Sequence, residues 1–262
     1  MELSLLQIEH WVNGFLWPLF RVMSFFMAMP IIGTQMLPVR LRLGLALAVT
    51  VLLVPVLPPM PEFDALSLKN WIVVAQQVLI GSLLGFSANI LLQSFVVGGQ
   101  LMAMQMGLGF ASMTDPANGV SVVIVAQIYL MLVMLLFLGM DGHLVLIEIL
   151  AQSFHVLPVG AGSVSQATLW HMALSGGWLF MAALLMALPA VTALLVINFA
   201  FGIMTKAAPQ LNIFAIGFPF TMLMGIVIVW LSLSGFFSHY QVFAAEALGN
   251  IAGLLTVEGP GG

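Results

Sequence analysis

An all-α membrane protein is the fold class this sequence predicts. About six long, kinked hydrophobic helices, broken by proline and glycine, are expected beside short amphipathic ones, packed as one subunit of a larger helical assembly. Three observations lead there. The 262 residues are 62% hydrophobic and only 5% charged, with a mean hydropathy of +1.19. A soluble domain typically carries about 25% charge, so this chain lacks the residues to dress a water-facing surface. Apolar runs recur along the whole chain, cut by segments rich in proline and glycine. Several of these runs are too short or too rich in amides to make good free spans, which suits helices that satisfy their polar groups against neighbours.

Composition also excludes function classes. Residues 1–262 read as a single membrane domain with no soluble module, and the Gly-Pro-Gly-Gly end within 256–262 reads as a disordered tail. Five basic residues and a net charge of −4 argue against nucleic-acid binding. The absence of cysteine removes disulfides, thiolate metal sites and cysteine nucleophiles. Met1 to Glu9 carries two glutamates and no basic residue, where a cleavable signal needs a positive n-region, so the first apolar stretch is expected to be retained.

Taken in order, the first span runs from about Ile8 to Met29, with Pro18 and Arg21 inside it. An arginine at a helix centre costs ~2.5–3.5 kcal/mol on insertion scales, so Arg21 should face protein or snorkel. Pro38, Arg40 and Arg42 precede a short run from Leu43 to Leu57 that is broken by Pro55. Pro58-Pro59-Met60-Pro61 with Glu62 and Asp64 makes a rigid polar turn. Trp71 to Met102 would be roughly 48 Å long as one helix, more than the ~30 Å hydrocarbon core, so it must tilt, bend or protrude. Gly81 and Gly85 give it a GxxxG spacing for close helix approach, and Gly98-Gly99 is the expected bend. Gln76, Gln77, Asn89, Gln93, Gln100 and Gln105 on the same helix would be costly facing lipid, which predicts a helix surrounded by protein or water.

The stretch from Met104 to Val120 cannot be a good helix. Gly107 and Gly109 admit positive φ, and Pro116 pushes Asp115 towards an extended backbone. Irregular backbone at membrane depth has to be buried in protein or line a cavity; otherwise it is an ordinary surface loop. Val120 to Met140 is the cleanest span, ended by Asp141-Gly142-His143. Leu144 to Leu157 is a shorter helix, and Gly160 to Gln166 is a flexible linker. Trp178 to Met204 and Ile213 to Phe237 are the last spans, interrupted by Pro189 and Pro219 and joined by a tight turn over Thr205–Asn212. His239 to Leu255 is an amphipathic terminal helix. Six spans with both termini outside put Arg40, Arg42 and Lys206 in the cytoplasm and Lys69 outside, as the positive-inside rule favours.

The chemistry-bearing residues are few. His143 and His155 lack metal-ligand spacing, no GxSxG elbow is present, and Gly107-Leu108-Gly109 has neither the strand nor the lysine of a phosphate loop. No catalytic, cofactor or metal residue is assigned, and the chain is expected to be no enzyme. Arg21, Asp115 and Asp141 are the chargeable groups expected at membrane depth, serving either an ion path or a structural position. Met102, Met104, Met106 and Met113 around the loop fit either a deformable apolar seal or plain packing.

Several ordered motifs carry a family resemblance over nearly the whole length. They are Trp17-Pro18-Leu19-Phe20-Arg21-Val22, Pro38-Val39-Arg40-Leu41-Arg42-Leu43-Gly44-Leu45, Gln76 to Gly81, Gln105 to Ala111, Asp115-Pro116, Gly142-His143 and Ala208 to Phe214 continuing into Ile216 to Pro219. In these the chain resembles the FliR family, the export-gate subunit of the flagellar type III secretion system and its injectisome relatives. The resemblance implies a non-enzymatic inner-membrane subunit of the flagellar basal body, present once in a helical gate with FliP and FliQ, near FlhB and FlhA, and passing unfolded flagellar proteins. It further implies a FliP-like part over 1–170 with a plug loop over 104–120, and a FliQ-like hairpin with terminal helix over 171–255. The plug maps onto Met106, Gly107, Gly109, Phe110, Met113, Asp115 and Pro116. The cytoplasmic turn, Lys206, Pro209, Gln210, Leu211 and Asn212, maps onto partner contacts, and Arg21, Arg40 and Arg42 onto structural charges. Both termini are expected on the periplasmic side. The rival class is a secondary transporter with a midplane site near Asp115, since broken helices bearing amides and a buried acid suit such sites. A third is a scaffold without gating.

Overall fold

Helices make up every regular element of the computed structural model, which describes residues 5–33, 37–61, 67–108, 124–160, 164–208 and 213–256. Helix α1 covers Leu5–Ala28 with Pro18 inside it. Helix α2, Val39–Leu53, starts after the extended Pro38 and tightens into a 3-10 turn, Val54–Val56, at Pro55. Helix α3, Leu68–Gln105, has 38 residues. Helix α4 is Ile124–Gly139 and α5 is Gly142–Val156, separated at Asp141, whose φ of 57° ends one run and begins the next. Helix α6, Gln166–Ala207, has 42 residues. Helix α7, Ile213–Ser232, passes through the 3-10 turn Leu233–Gly235 into α8, Phe236–Thr256.

The expected all-α membrane class holds. Among the described residues, four helical stretches are long and apolar enough to cross a bilayer, Val39–Val56, Asn70–Gln105, Gln166–Ala207 and Gly217–Leu254. The α4–α5 pair makes a fifth if it counts as one span, and Gly14–Ala28 is a shorter apolar helix. Their burial is uneven. At its most apolar stretch α3 is 67% buried within the protein, against 11% for Val39–Val56 and 17% for Gly217–Leu254. Helix α3 is thus the most buried of the four, although of its amides only Gln77 is fully buried and Gln93 is exposed.

The chain divides into two compact units. The first comprises Met1–Ile90, Met140–Ser175 and Glu246–Gly262. Here Gly81 and Gly85 do what their spacing predicts: α1 lies directly on them. A Cβ at Gly81 would fall on Ser24 Oγ and the Arg21 carbonyl, and one at Gly85 would sit 2.6 Å from the Phe25 carbonyl. Trp17, Val22 and Phe25 on α1 and Met29 just after it are buried. Helix α2 packs on α1 but buries only Ala46 and Thr50.

The second unit comprises Leu91–Gly139 and Gly176–Ala245. Gly98 and Gly99 lie inside the continuous helix α3. They admit neighbours: a Cβ at Gly99 would lie 2.8 Å from Ala126 Cα on α4, and one at Gly98 would meet Met186 of α6. One expectation is corrected at the unit's edge. Helix α6 begins at Gln166 instead of Trp178. Its start is set by Ser165, whose Oγ accepts the Thr168 backbone N–H at 3.0 Å, an N-cap of the ordinary serine kind. An aromatic cluster closes the unit's core, with Phe95 5.1 Å from Phe236 and 5.8 Å from Phe243, and Tyr129 5.3 Å from Phe236. The Tyr129 hydroxyl finds Ser232 Oγ at 2.9 Å.

Candidate functional site

The residues singled out by sequence fall into two places, one in each unit, and the end of α3 in the second unit is the more informative. Helix α3 ends at Gln105 because Gly107 takes φ +84°, a left-handed value that costs other L-residues energy. Two hydrogen bonds then close the end. The Leu108 N–H donates to the Ala103 carbonyl at 3.1 Å and the Gly107 N–H to Met104 at 3.0 Å. This is the Schellman pattern, a six-to-one bond enclosing a five-to-two bond. The Met106 N–H reaches the Met102 carbonyl at 3.1 Å, and Asn198 Nδ2 of α6 donates to the Gln105 carbonyl at 3.1 Å. Four carbonyls that a helix end normally leaves open are all paired.

Side chains fix the same end. Met106 is 1% exposed and lies against Gly225 of α7, where a Cβ would collide with its thioether. The Phe218 ring would stand 2.9 Å from a Cβ at Gly107. Beside it opens a cavity of about 640 Å³, lined by Met104, Gln105, Gly107, Asn198, Phe201 and Phe218 among others, without a charged residue in its wall. Of the predicted plug residues, Met106 and Gly107 are thus placed, whereas Gly109, Phe110, Met113, Asp115 and Pro116 lie outside the described residues. Lys206 is exposed in the last turn of α6, where a cation suits the helix dipole. Its predicted companions Pro209, Gln210, Leu211 and Asn212 also lie outside the described residues.

The first unit holds the one deeply buried charge among the described residues. Arg21 is 0% exposed. Its Nε donates to Gln77 Oε1 at 2.8 Å, and one terminal nitrogen to the Ser153 carbonyl at 2.8 Å and Ser153 Oγ at 3.0 Å. The other terminal nitrogen donates to the Leu157 carbonyl at 2.8 Å. The guanidinium carbon lies 4.1 Å from the centre of the Phe154 ring. Among the described residues no carboxylate pairs with it. Ser153 and Leu157 sit at the C-terminus of α5, so the cation is held by the negative end of a helix, by amide and hydroxyl oxygens, and by a ring face. Arg40 and Arg42 are placed differently. Arg40 is exposed, and Arg42 donates from Nε and a terminal nitrogen to the Leu37 carbonyl at 3.2 and 2.9 Å, bracing the start of α2. Asp141 is exposed at the α4–α5 break.

Sequence reasoning missed two residues at the end of α3. Asn198 caps it and Phe218 covers Gly107. A lone asparagine in a largely apolar span was the available signal for the first; the second stands in the Ile216 to Pro219 motif, which carries the family resemblance but names no contact.

Comparison with known proteins places the chain in a family. The family described as "Bacterial export proteins, family 1" matches residues 12–247. The chain is 39% identical to the flagellar biosynthetic protein FliR of Escherichia coli (strain K12) over 82% of each chain. It is 36% identical to the FliR of Pectobacterium carotovorum subsp. carotovorum over 94% of each. The FliR of Bacillus subtilis (strain 168) is 25% identical over 86% of this chain and 87% of its own. With a family match over most of its length and relatives of this identity and coverage, the chain belongs to family 1 of the bacterial export proteins, the family of the flagellar biosynthetic protein FliR.

Proposed function

We propose that this chain is a non-enzymatic membrane subunit of the flagellar type III export gate, through which unfolded flagellar proteins cross the bacterial inner membrane. The observation that carries the reading is the near full-length kinship with flagellar biosynthetic proteins. In this reading one copy assembles with FliP and FliQ in the basal body, near FlhB and FlhA, with both termini periplasmic. Residues 1–170 take the FliP-like role and 171–255 the FliQ-like one. Lys206, Pro209, Gln210, Leu211 and Asn212 face a partner on the cytoplasmic side. Native mass spectrometry of the co-expressed subunits tests this: one copy with several FliP- and FliQ-like chains is expected, and a lone monomer or homodimer overturns it.

The segment over 104–120 acts as the plug. Its first residues are supported by the end of α3, where Met106 is wedged against α7 and every terminal carbonyl is paired. A plug needs one fixed margin, and that helix end supplies it. Phe110 and the methionines form the apolar seal that holds back water and ions at rest, and Asp115-Pro116 closes the loop. Deleting Gly109 to Met113 should raise ion conductance across the membrane while the subunits still co-purify. Wild-type conductance in an assembled deletion complex would overturn the plug.

A further inference from the structure

Helix α3 buries most of its surface in the second unit, with Leu92, Phe95, Val96, Met102 and Ala103 all inside. Part of it remains outside. Gln93, Val97, Gln100 and Met104 are exposed or half-exposed and fall within about 60° of one another at 3.6 residues per turn, a stripe flanked on one side by the half-exposed Leu101 and Gln105. The stripe runs down to Met104, which is 66% exposed and forms part of the cavity wall at the helix end. The Gln93 and Gln100 amides hydrogen bond to no described residue. An open amide in hydrocarbon costs several kcal/mol on the order of a lost hydrogen bond, so lipid does not cover this face.

We propose that Gln93 and Gln100, with Met104 and the cavity beyond it, form a contact track for an extended polypeptide backbone. The proposal rests on the export reading above and names the surface that handles the substrate. A primary amide carries both a donor and an acceptor, as a peptide group does, so it pairs with a main chain of any sequence. Neither the stripe nor the cavity wall bears a charge, so acidic and basic segments meet the same surface. Gln93, Gln100 and Met104 are long and flexible, and adaptable methionine-bearing surfaces suit an occupant that keeps changing. A permanent neighbour would instead have to immobilise each glutamine, at about 1.5–2 kcal/mol of rotamer entropy.

The test uses the full chain in cells lacking the chromosomal copy, with a photo-crosslinking residue at position 93 or 100. An export substrate is stalled by a folded domain fused to its C-terminus. Crosslinks to the stalled substrate, several-fold above those from a probe at Val196 on the apolar, 69% exposed face of α6, are expected. Crosslinks only to another membrane subunit or to lipid overturn the track. A Gln93→Leu, Gln100→Leu double variant keeps two good helix formers in place and should assemble yet export several-fold more slowly, with Gln100→Asn partly restoring the rate. Wild-type export by an assembled double variant also overturns the track. If the wild-type chain itself fails to restore export in the deletion strain, the export reading falls, and the track falls with it.

Discussion

Arg21 and Gln100 are both polar side chains on membrane helices, and they resolve the same problem in opposite ways. Arg21 is sealed in the first unit with four hydrogen bonds and an aromatic face. Gln100, in the second, is left half-exposed with its amide open. A polar group satisfied within its own chain ties helices together; one left open is there for something outside the chain. The contrast separates residues that make the fold from residues that meet other molecules. It predicts large stability effects and little else at the first kind.

The largest break should come from Arg21→Ala. It strands Gln77, Ser153 and the α5 carbonyl end, and opens a void, at more than ~3 kcal/mol. Thermal unfolding of the purified complex should show it, with Arg21→Lys losing less because it keeps the charge but not the fork. An unchanged melting temperature for the alanine variant would mean the knot is not structural. Next comes Gly85→Leu, which pushes α1 off α3 at the Phe25 carbonyl and should cost about 1–3 kcal/mol by the same measurement.

Gly107→Ala sharpens the comparison. Its positive φ costs about 1–2 kcal/mol, and the new methyl also meets Phe218. Adding Phe218→Leu should relieve the collision but leave the backbone strain, so the double variant recovers part of the loss. Full recovery would show that the left-handed backbone does not matter. The smallest effect is expected for Tyr129→Phe, which removes the bond to Ser232 and should cost ~1 kcal/mol.

Much of this was legible in the chain before any coordinate. Charge and hydropathy set the class. The Gly81/Gly85 spacing marked a close helix contact, which α1 supplies. What escaped was non-local. Arg21 finds Ser153 across 132 residues, and no pattern in one sequence pairs them. Gly98-Gly99 reads as a bend, and the sequence holds no sign of the close approach of Ala126 and Met186 that the two glycines also permit. The early start of α6 rests on the Ser165 N-cap, which reads in sequence as part of the linker over Gly160 to Gln166. At the candidate site Gly107 was readable as a turn, whereas Asn198 was not readable as the partner of Gln105, 93 residues away.

The closed end of α3 has a mechanical consequence. A pull on the chain beyond Leu108 reaches a helix terminus with no loose carbonyl from which unwinding could begin. The load passes instead to the Ala103 and Met104 carbonyls together, and through Asn198 and the wedged Met106 into α6 and α7. Such an anchorage resists in unison and fails abruptly rather than peeling turn by turn.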